Sequence, residues 1–334
     1  MFKKIVLFLI ILIPFNVRAK STIVMDMDSN KILYSENIHD RRSVASISKV
    51  MTCIVAIESG KLFDEVEIGD EISSSYGSGI YIQKGEKLLL IDLLYGLMLR
   101  SGNDAALAIS NYVSENFVKL MNDKAKEIGM KNTTFNNPSG LDINDIGNYS
   151  TAYDMALLTS YAYKNEAFRN IISTKKYSLI TNKNSYLWIN KHKLLHSKPY
   201  VTGGKTGYTD IAKRTLITTA SKDGLNLVVV TLNDGNDFKN HIELLEKYFS
   251  LYKKYKILNK GNINLVNSNY YIDNDFYYSL NEEEKNNIKL KAILNRENNE
   301  GILEVYLYDK KIYETKMIKN DITYTFKEWF KNIW

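Results

Sequence analysis

One cysteine, Cys53, stands in a chain of 334 residues, and a single thiol cannot close an intramolecular disulfide. A disulfide-stapled mini-domain is excluded, so stability must come from apolar burial. Cys53 falls in an apolar helical stretch, which points to a buried, unreactive thiol. Histidine is also scarce, at four residues. His192 and His196 stand at i, i+4 but lack the glutamate of H-E-x-x-H, so no metal and no other cofactor is expected. No G-x-S-x-G turn is present, which removes the usual strained-turn setting of a Ser-His-Asp triad. Fragments such as Gly77-Ser78-Gly79 open no nucleotide-binding unit, and no fixed-period repeat is visible. The formal net charge is +6, and it falls to about +3 when Lys3, Lys4 and Arg18 leave with residues 1–19. A charge that small gives no nucleic-acid signal.

Long hydrophobic runs are missing too. Met1-Phe2-Lys3-Lys4 is cationic, and the apolar run from Ile5 to Pro14 is too short to span a bilayer comfortably. Val17 and Ala19 place small residues at −3 and −1 of a cut before Lys20, so residues 1–19 read as a secretory signal peptide. At the other end, Phe326, Trp329, Phe330 and Ile333 recur at i, i+3, i+4, i+7, with Lys327, Glu328, Lys331 and Asn332 opposite. Residues 322–334 therefore read as an amphipathic helix lying in a membrane surface, with docking on the protein's own core as the alternative.

Between these ends, 45% hydrophobic and 25% charged residues make an ordinary globular composition, with length for about two domains. Ser21 to Ser35 reads as a hairpin. Val44 to Ser59, Ile91 to Val113 (broken at Ser101-Gly102-Asn103), Phe117 to Ile128 and Thr151 to Tyr163 read as helices. Thr215 to Ala220 and Leu225 to Leu232 read as strands joined by Ser221-Lys222-Asp223-Gly224, and Phe238 to Tyr255 as a helix. Strands bracketing a helical middle predict an α+β domain over 20–257, with an antiparallel sheet closed by both its ends. The Asn-, Lys-, Tyr- and Ile-rich stretch 258–321 reads as a small all-β domain, too short for a self-sufficient core and expected to lean on the larger one.

Three short motifs occur in order: Ser46-Ile47-Ser48-Lys49, Ser101-Gly102-Asn103 and Lys205-Thr206-Gly207. Each alone is weak, since Ser173 to Lys176 and Ser250 to Lys253 also match S-x-x-K. The ordered set, at intervals of 55 and 104 residues, is far more specific. A serine hydroxyl needs a base, and a lysine three residues on shares its helix face. Lys49 acts as a base only if burial or a second cation depresses its pKa, and Lys205 is the candidate cation. Ser101 can relay a proton to a leaving amine, and Asn103 can orient Lys49 or bind a substrate amide. Lys205 and Thr206 can hold a carboxylate, Gly207 admits a substrate backbone, and the backbone N–H groups of Ser46 and Tyr208 are the natural oxyanion pair.

These motifs resemble the serine-type D-Ala-D-Ala carboxypeptidases, the low-molecular-mass penicillin-binding proteins. The likeness extends over residues 21–255. It includes Ala45 to Lys49 with Met51-Thr52, Gly85-Glu86, Leu93 to Met98, Ser101 to Ala106, Gly129 to Thr133, Asn137 to Leu141, Ser150 to Met155, and Lys205-Thr206-Gly207-Tyr208-Thr209. The resemblance implies a β-lactamase/transpeptidase-like fold, held by a C-terminal amphipathic anchor at the outer face of the cytoplasmic membrane. It implies removal of the terminal D-alanine from peptidoglycan stem pentapeptides through an acyl-enzyme, and inhibition by β-lactams. Carried over, Ser46 is the nucleophile, Lys49 the base, Ser101 and Asn103 the second cluster, and Lys205 to Thr209 the substrate strand. Ala212-Lys213 departs from the Ala-Gly common in the family. A β-lactamase of the same fold, with Glu166 as a candidate deacylating residue, and an inactive peptidoglycan-binding protein are the alternatives.

Overall fold

The computed structural model describes residues 19–142, 146–265, 268–295 and 299–319. The leader (but for Ala19) and the terminal amphipathic segment fall outside these residues. The runs Ser21–Asp26 (β1), Ile32–Glu36 (β2), Val201–Thr209 (β3), Lys213–Lys222 (β4) and Leu225–Leu232 (β5) form one antiparallel sheet in the order β2-β1-β5-β4-β3. Side chains alternate across a strand, so β5 serves two cores. Val228, Val230 and Leu232 pack toward the helical region, whereas Leu225, Leu227 and Val229 pack toward Leu245 and Tyr248 of the helix Asp237–Leu251. Both faces are covered, which is why β5 reads as an unbroken apolar run rather than an alternating one.

The helical region centres on α1 (Lys49–Glu58), where every residue from Lys49 to Ile57 is buried. A helix buried on all sides belongs in the middle of a core. Around it lie α2 (Asn103–Val113), α3 (Phe117–Ile128), α4 (Ala152–Tyr163) and α5 (Glu166–Ser173). Thr151 caps α4 by accepting from the Asp154 amide at 3.0 Å. Cys53 is fully buried, and burial pushes its thiol pKa up, away from reactivity.

The sequence reading is corrected where the first domain ends and at the Lys-Thr-Gly strand, and the helix expected from Val44 is a 3-10 turn until Lys49. The helix begun at Asp237 stops at Leu251, and Lys253–Leu258 is a strand paired with Phe276–Leu280. The Lys-Thr-Gly triplet lies inside β3 rather than ahead of the strand pair. Gly203, Gly204 and Gly207 depress strand propensity, and pairing with β4 overrides it.

Beyond Leu258 comes a five-stranded antiparallel sheet in the order 261–265, 268–272, 310–319, 300–307 and 288–295. Its core is small: Leu258, Tyr270, Ile272, Leu303, Val305 and Met317. The all-β part is tied to the first domain. Lys31 Nζ donates to Ser279 O at 2.9 Å and pairs with Glu284 at 2.7 Å, while Asp26 accepts from Ser279 Oγ at 2.8 Å.

Candidate active site

Ser46 sits in a 3-10 turn (Ala45–Ser48) that runs directly into α1. Ala45 has φ 50°, an uncommon conformation for a residue with a Cβ. The strained turn is held from both sides. Ser48 Oγ bonds Ala45 O at 2.8 Å, and Thr215 Oγ1 of β4 donates to Val44 O at 3.1 Å. Ser46 itself remains half-buried.

Lys49, one turn on, is fully buried. Its Nζ donates to Ser46 Oγ at 3.2 Å, to Asn103 Oδ1 at 2.7 Å and to the backbone carbonyl of Ser139 at 2.5 Å. Burial first, then the positive charge of Lys191, pull its pKa down to about 7; Asp104 pulls the other way. Lys205, 2% exposed, is also held well below the ordinary lysine value, by burial first and then by Lys49 and Lys191. Lys191 therefore adds to the depression at Lys49, and the three buried or half-buried ammonium groups Lys49, Lys205 and Lys191 disfavour one another's charge. Lys191 had no signal in the sequence. It reaches the site through Nζ–Ser78 Oγ at 3.2 Å and through its amide on Leu99 O at 3.1 Å.

The break at Ser101 has a defined form. A helix over Leu90–Tyr95 widens into a π turn at Gly96–Arg100, Ser101 takes φ 64°, and α2 restarts at Asn103. Asp104 fixes the facing loop by accepting from the amides of Ile80 at 3.0 Å and Tyr81 at 2.6 Å. Asn103 donates to Tyr76 O at 2.6 Å while its oxygen faces Lys49. The Ser101 hydroxyl makes no hydrogen bond among the described residues.

Strand β3 closes the cleft. A Cβ on Gly207 would lie 3.0 Å from the backbone nitrogen of Ser46 and 2.4 Å from Thr215 Oγ1. Only glycine lets the strand approach Ser46 that closely. Tyr208 follows, 59% exposed, and Lys205 Nζ donates to Thr206 O at 2.8 Å. Thr209 Oγ1 donates to Asp142 Oδ2 at 2.5 Å, tying the strand to the loop beneath the site. That loop is clamped to α1 through Thr52 Oγ1 on Pro138 O at 2.6 Å. Asn137 Oδ1 shapes it by accepting from the Gly140 amide at 2.7 Å, and Gly140 has no room for a Cβ against Ala45 O.

The three motifs thus meet at one cleft. Glu166 does not join them: it is exposed at the first position of α5, whose Phe168, Ile171 and Ile172 face the core. His192 is committed elsewhere, its Nε2 3.1 Å from Ile217 O and 3.0 Å from Thr218 Oγ1, and burial lowers its pKa to about 4. Among the described residues no three histidine, cysteine or carboxylate side chains cluster as metal ligands.

Residues 11–236 match the family model for D-alanyl-D-alanine carboxypeptidase, and the chain belongs to that family. It is 34% identical over 255 residues to the D-alanyl-D-alanine carboxypeptidase DacF of Bacillus subtilis, covering 73% of this chain and 65% of that one. It is 32% identical over 241 residues to DacC of Escherichia coli, covering 66% of this chain and 58% of that one. The matches thus span less than two thirds of these relatives' lengths. The fold is that of penicillin-binding protein 5 from Haemophilus influenzae, with a TM-score of 0.75 at 26% identity over 90% of this chain and 95% of the other. The architecture is therefore α+β, a transpeptidase-like domain followed by a small all-β domain.

Proposed function

We propose that this chain is a serine-type D-Ala-D-Ala carboxypeptidase that removes the terminal D-alanine from peptidoglycan stem pentapeptides. The observation that carries the reading is the buried Lys49 ammonium nitrogen, 3.2 Å from Ser46 Oγ, with a pKa pulled to about 7. Near neutral pH a substantial fraction of Lys49 is the free amine, a base matched to its task.

The reaction follows from the placement of these groups. Ser46 Oγ gives its proton to Lys49 and attacks the penultimate carbonyl carbon. The oxyanion that forms accepts from the backbone N–H groups of Ser46 and Tyr208. Lys205 and Thr206 hold the terminal carboxylate. On collapse the C–N bond breaks, and the proton on Lys49 passes through Ser101 to the departing D-alanine nitrogen. Asn103 keeps Lys49 aligned. Water then cleaves the Ser46 ester and releases the shortened peptide. A β-lactam follows the first steps, but its amine stays tethered, so the acyl-enzyme persists and inhibits.

The site favours this over a β-lactamase, because Lys49 is backed by the Ser139 carbonyl and Glu166 is turned outward. Incubation with a synthetic pentapeptide should release free D-alanine, and an unchanged peptide would refute the reading. The leader and the terminal amphipathic segment support export to the outer face of the cytoplasmic membrane, with peripheral attachment through residues 322–334. No helix among the described residues is long and apolar enough to cross a membrane. Truncation before Thr325 should release the mature protein from membranes.

A further inference from the structure

Strand β3 is the edge of its sheet, paired with β4 on one side only. Gly203, Gly204 and Gly207 give it few side chains to pin it in place. Lys205 nonetheless has to meet a carboxylate in a fixed geometry, so its hold must come from outside the strand.

The ladder sets Lys205 opposite Ile217 and Gly204 opposite Thr218. Ile217 packs into the helical core, whereas Thr218 faces His241 of the helix Asp237–Leu251. Lys205 therefore lies on the cleft side of the sheet, and position 204 presents the other side. His192 occupies that other side. A Cβ on Gly204, whose φ is 148°, would lie 2.8 Å from His192 Nε2 and would overlap Ile217 O. The ring thus lies flush against the residue before Lys205. Its Nε2 also stands 3.1 Å from the carbonyl oxygen of Ile217, the residue opposite Lys205.

A carbonyl oxygen only accepts, so Nε2 carries the hydrogen and shares it with Thr218 Oγ1 at 3.0 Å. Thr218 Oγ1 then donates to His241 Nδ1 at 2.7 Å, and His241 Nε2 donates to Thr231 Oγ1 of β5 at 3.0 Å. His192 Nδ1 is buried without a partner among the described residues, so Nε2 is the ring's one hydrogen-bonding anchor. Burial lowers the pKa of His192 to about 4 and holds His241 well below the ordinary value, so both rings are neutral near pH 7. The ring therefore acts on β3 through packing rather than charge. Its own backbone is fixed: the His192 amide donates to Asn190 Oδ1 at 3.0 Å, and Asn190 Nδ2 donates to Thr174 O at 3.0 Å. Phe238 stands perpendicular to the imidazole, with ring centroids 5.7 Å apart.

We propose that His192 is the positioning residue of Lys205: its ring, tied through Thr218 to His241, braces β3 from behind so that the Lys205 ammonium meets the leaving group's carboxylate. The inference rests on the carboxypeptidase reading, in which Lys205 binds that carboxylate, and adds the residue that places it.

The test acylates the mature full-length chain with benzylpenicillin and with its methyl ester, which differ only in the free carboxylate. The wild type should favour the acid in second-order acylation rate by about tenfold or more. His192→Phe keeps a flat ring and removes the Nε2 donor. There the preference should fall to near one while the ester's rate stays close to wild type. His192→Gln returns an N–H near the Nε2 position and should restore the preference. An unchanged preference in His192→Phe overturns the proposal. So does an equal fall in both rates, which would make the ring a support of the fold alone. If His192→Phe does not fold, Thr218→Val cuts the link between the two rings and is measured instead; the preference should fall there too, and an unchanged value overturns the proposal. A wild type without preference for the acid overturns the brace and the role of Lys205, and leaves the serine nucleophile standing. No acylation of the wild type by either compound overturns the carboxypeptidase reading itself.

Discussion

The backbone nitrogen of Ser46 lies 3.0 Å from where a Cβ on Gly207 would be. Strand and the Ser46 turn are therefore packed to the limit that hydrogen permits. In Gly207→Ala the strand must retreat, and Tyr208 N–H leaves the place proposed for it beside the reacting carbonyl. Acylation by a fluorescent penicillin should slow by about a hundredfold, the loss associated with one oxyanion donor. A stopped-flow rate within a few-fold of wild type would show that the strand does not set this geometry.

Acylation should depend on the free amine of Lys49. Its pKa of about 7 places the acid limb of the rate near neutrality, with rate rising as pH rises through that value. Lys191 contributes to the depression, so Lys191→Met should move the limb to higher pH. A profile of second-order acylation rates for both proteins checks the direction. A limb that stays in place, or moves lower, contradicts the assigned role of Lys191.

Stability should carry the opposite mark of the same residue. The native chain holds Lys49 near 7, whereas the unfolded chain holds it near the ordinary 10.5. Between those values the unfolded state binds the extra proton, so this group's contribution falls as pH drops from about 10.5 to about 7 and is level below. Lys49→Met removes the penalty and should be inactive yet raise Tm near pH 7, with the gain fading toward pH 10. Thermal unfolding across this range measures it. A Tm below wild type at pH 7 would mean that the bonds to Asn103 and Ser139 outweigh the burial cost.

Asp104 is a structural anchor of the second motif. Its carboxylate accepts from the amides of Ile80, Tyr81 and Ala105. Asp104→Ala strands these donors and should cost on the order of 3 kcal/mol, read from denaturant midpoints, along with most of the activity.

Much of this molecule was legible before its coordinates. Ser46 and Lys49, three residues apart, share one face of a helical turn, and the apolar neighbours of Lys49 implied its burial. Alternation and apolar runs gave β4 and β5. The rest depended on long-range contacts that leave no local pattern. Lys191 follows Asn103 by 88 residues and touches the site only because the loop at Ser78 folds over it. The Ser139 carbonyl that backs Lys49 is a main-chain atom with no residue signature. Strand β3 was obscured by its own glycines, which the close approach to Ser46 and to Ile172 requires. At Lys253, three tyrosines and four lysines between 247 and 256 read as a continuing helix, and pairing with Phe276–Leu280 decided the matter instead.

The assignment of Ser46 as the nucleophile is tested most directly by finding where penicillin attaches. The mature protein is treated with benzylpenicillin, digested and sequenced by mass spectrometry, beside a Ser46→Ala variant of unchanged Tm. The penicilloyl mass should appear on the peptide holding Ser46 and be absent from the variant. A penicilloyl group on any other residue, or equal labelling of both proteins, would contradict the account.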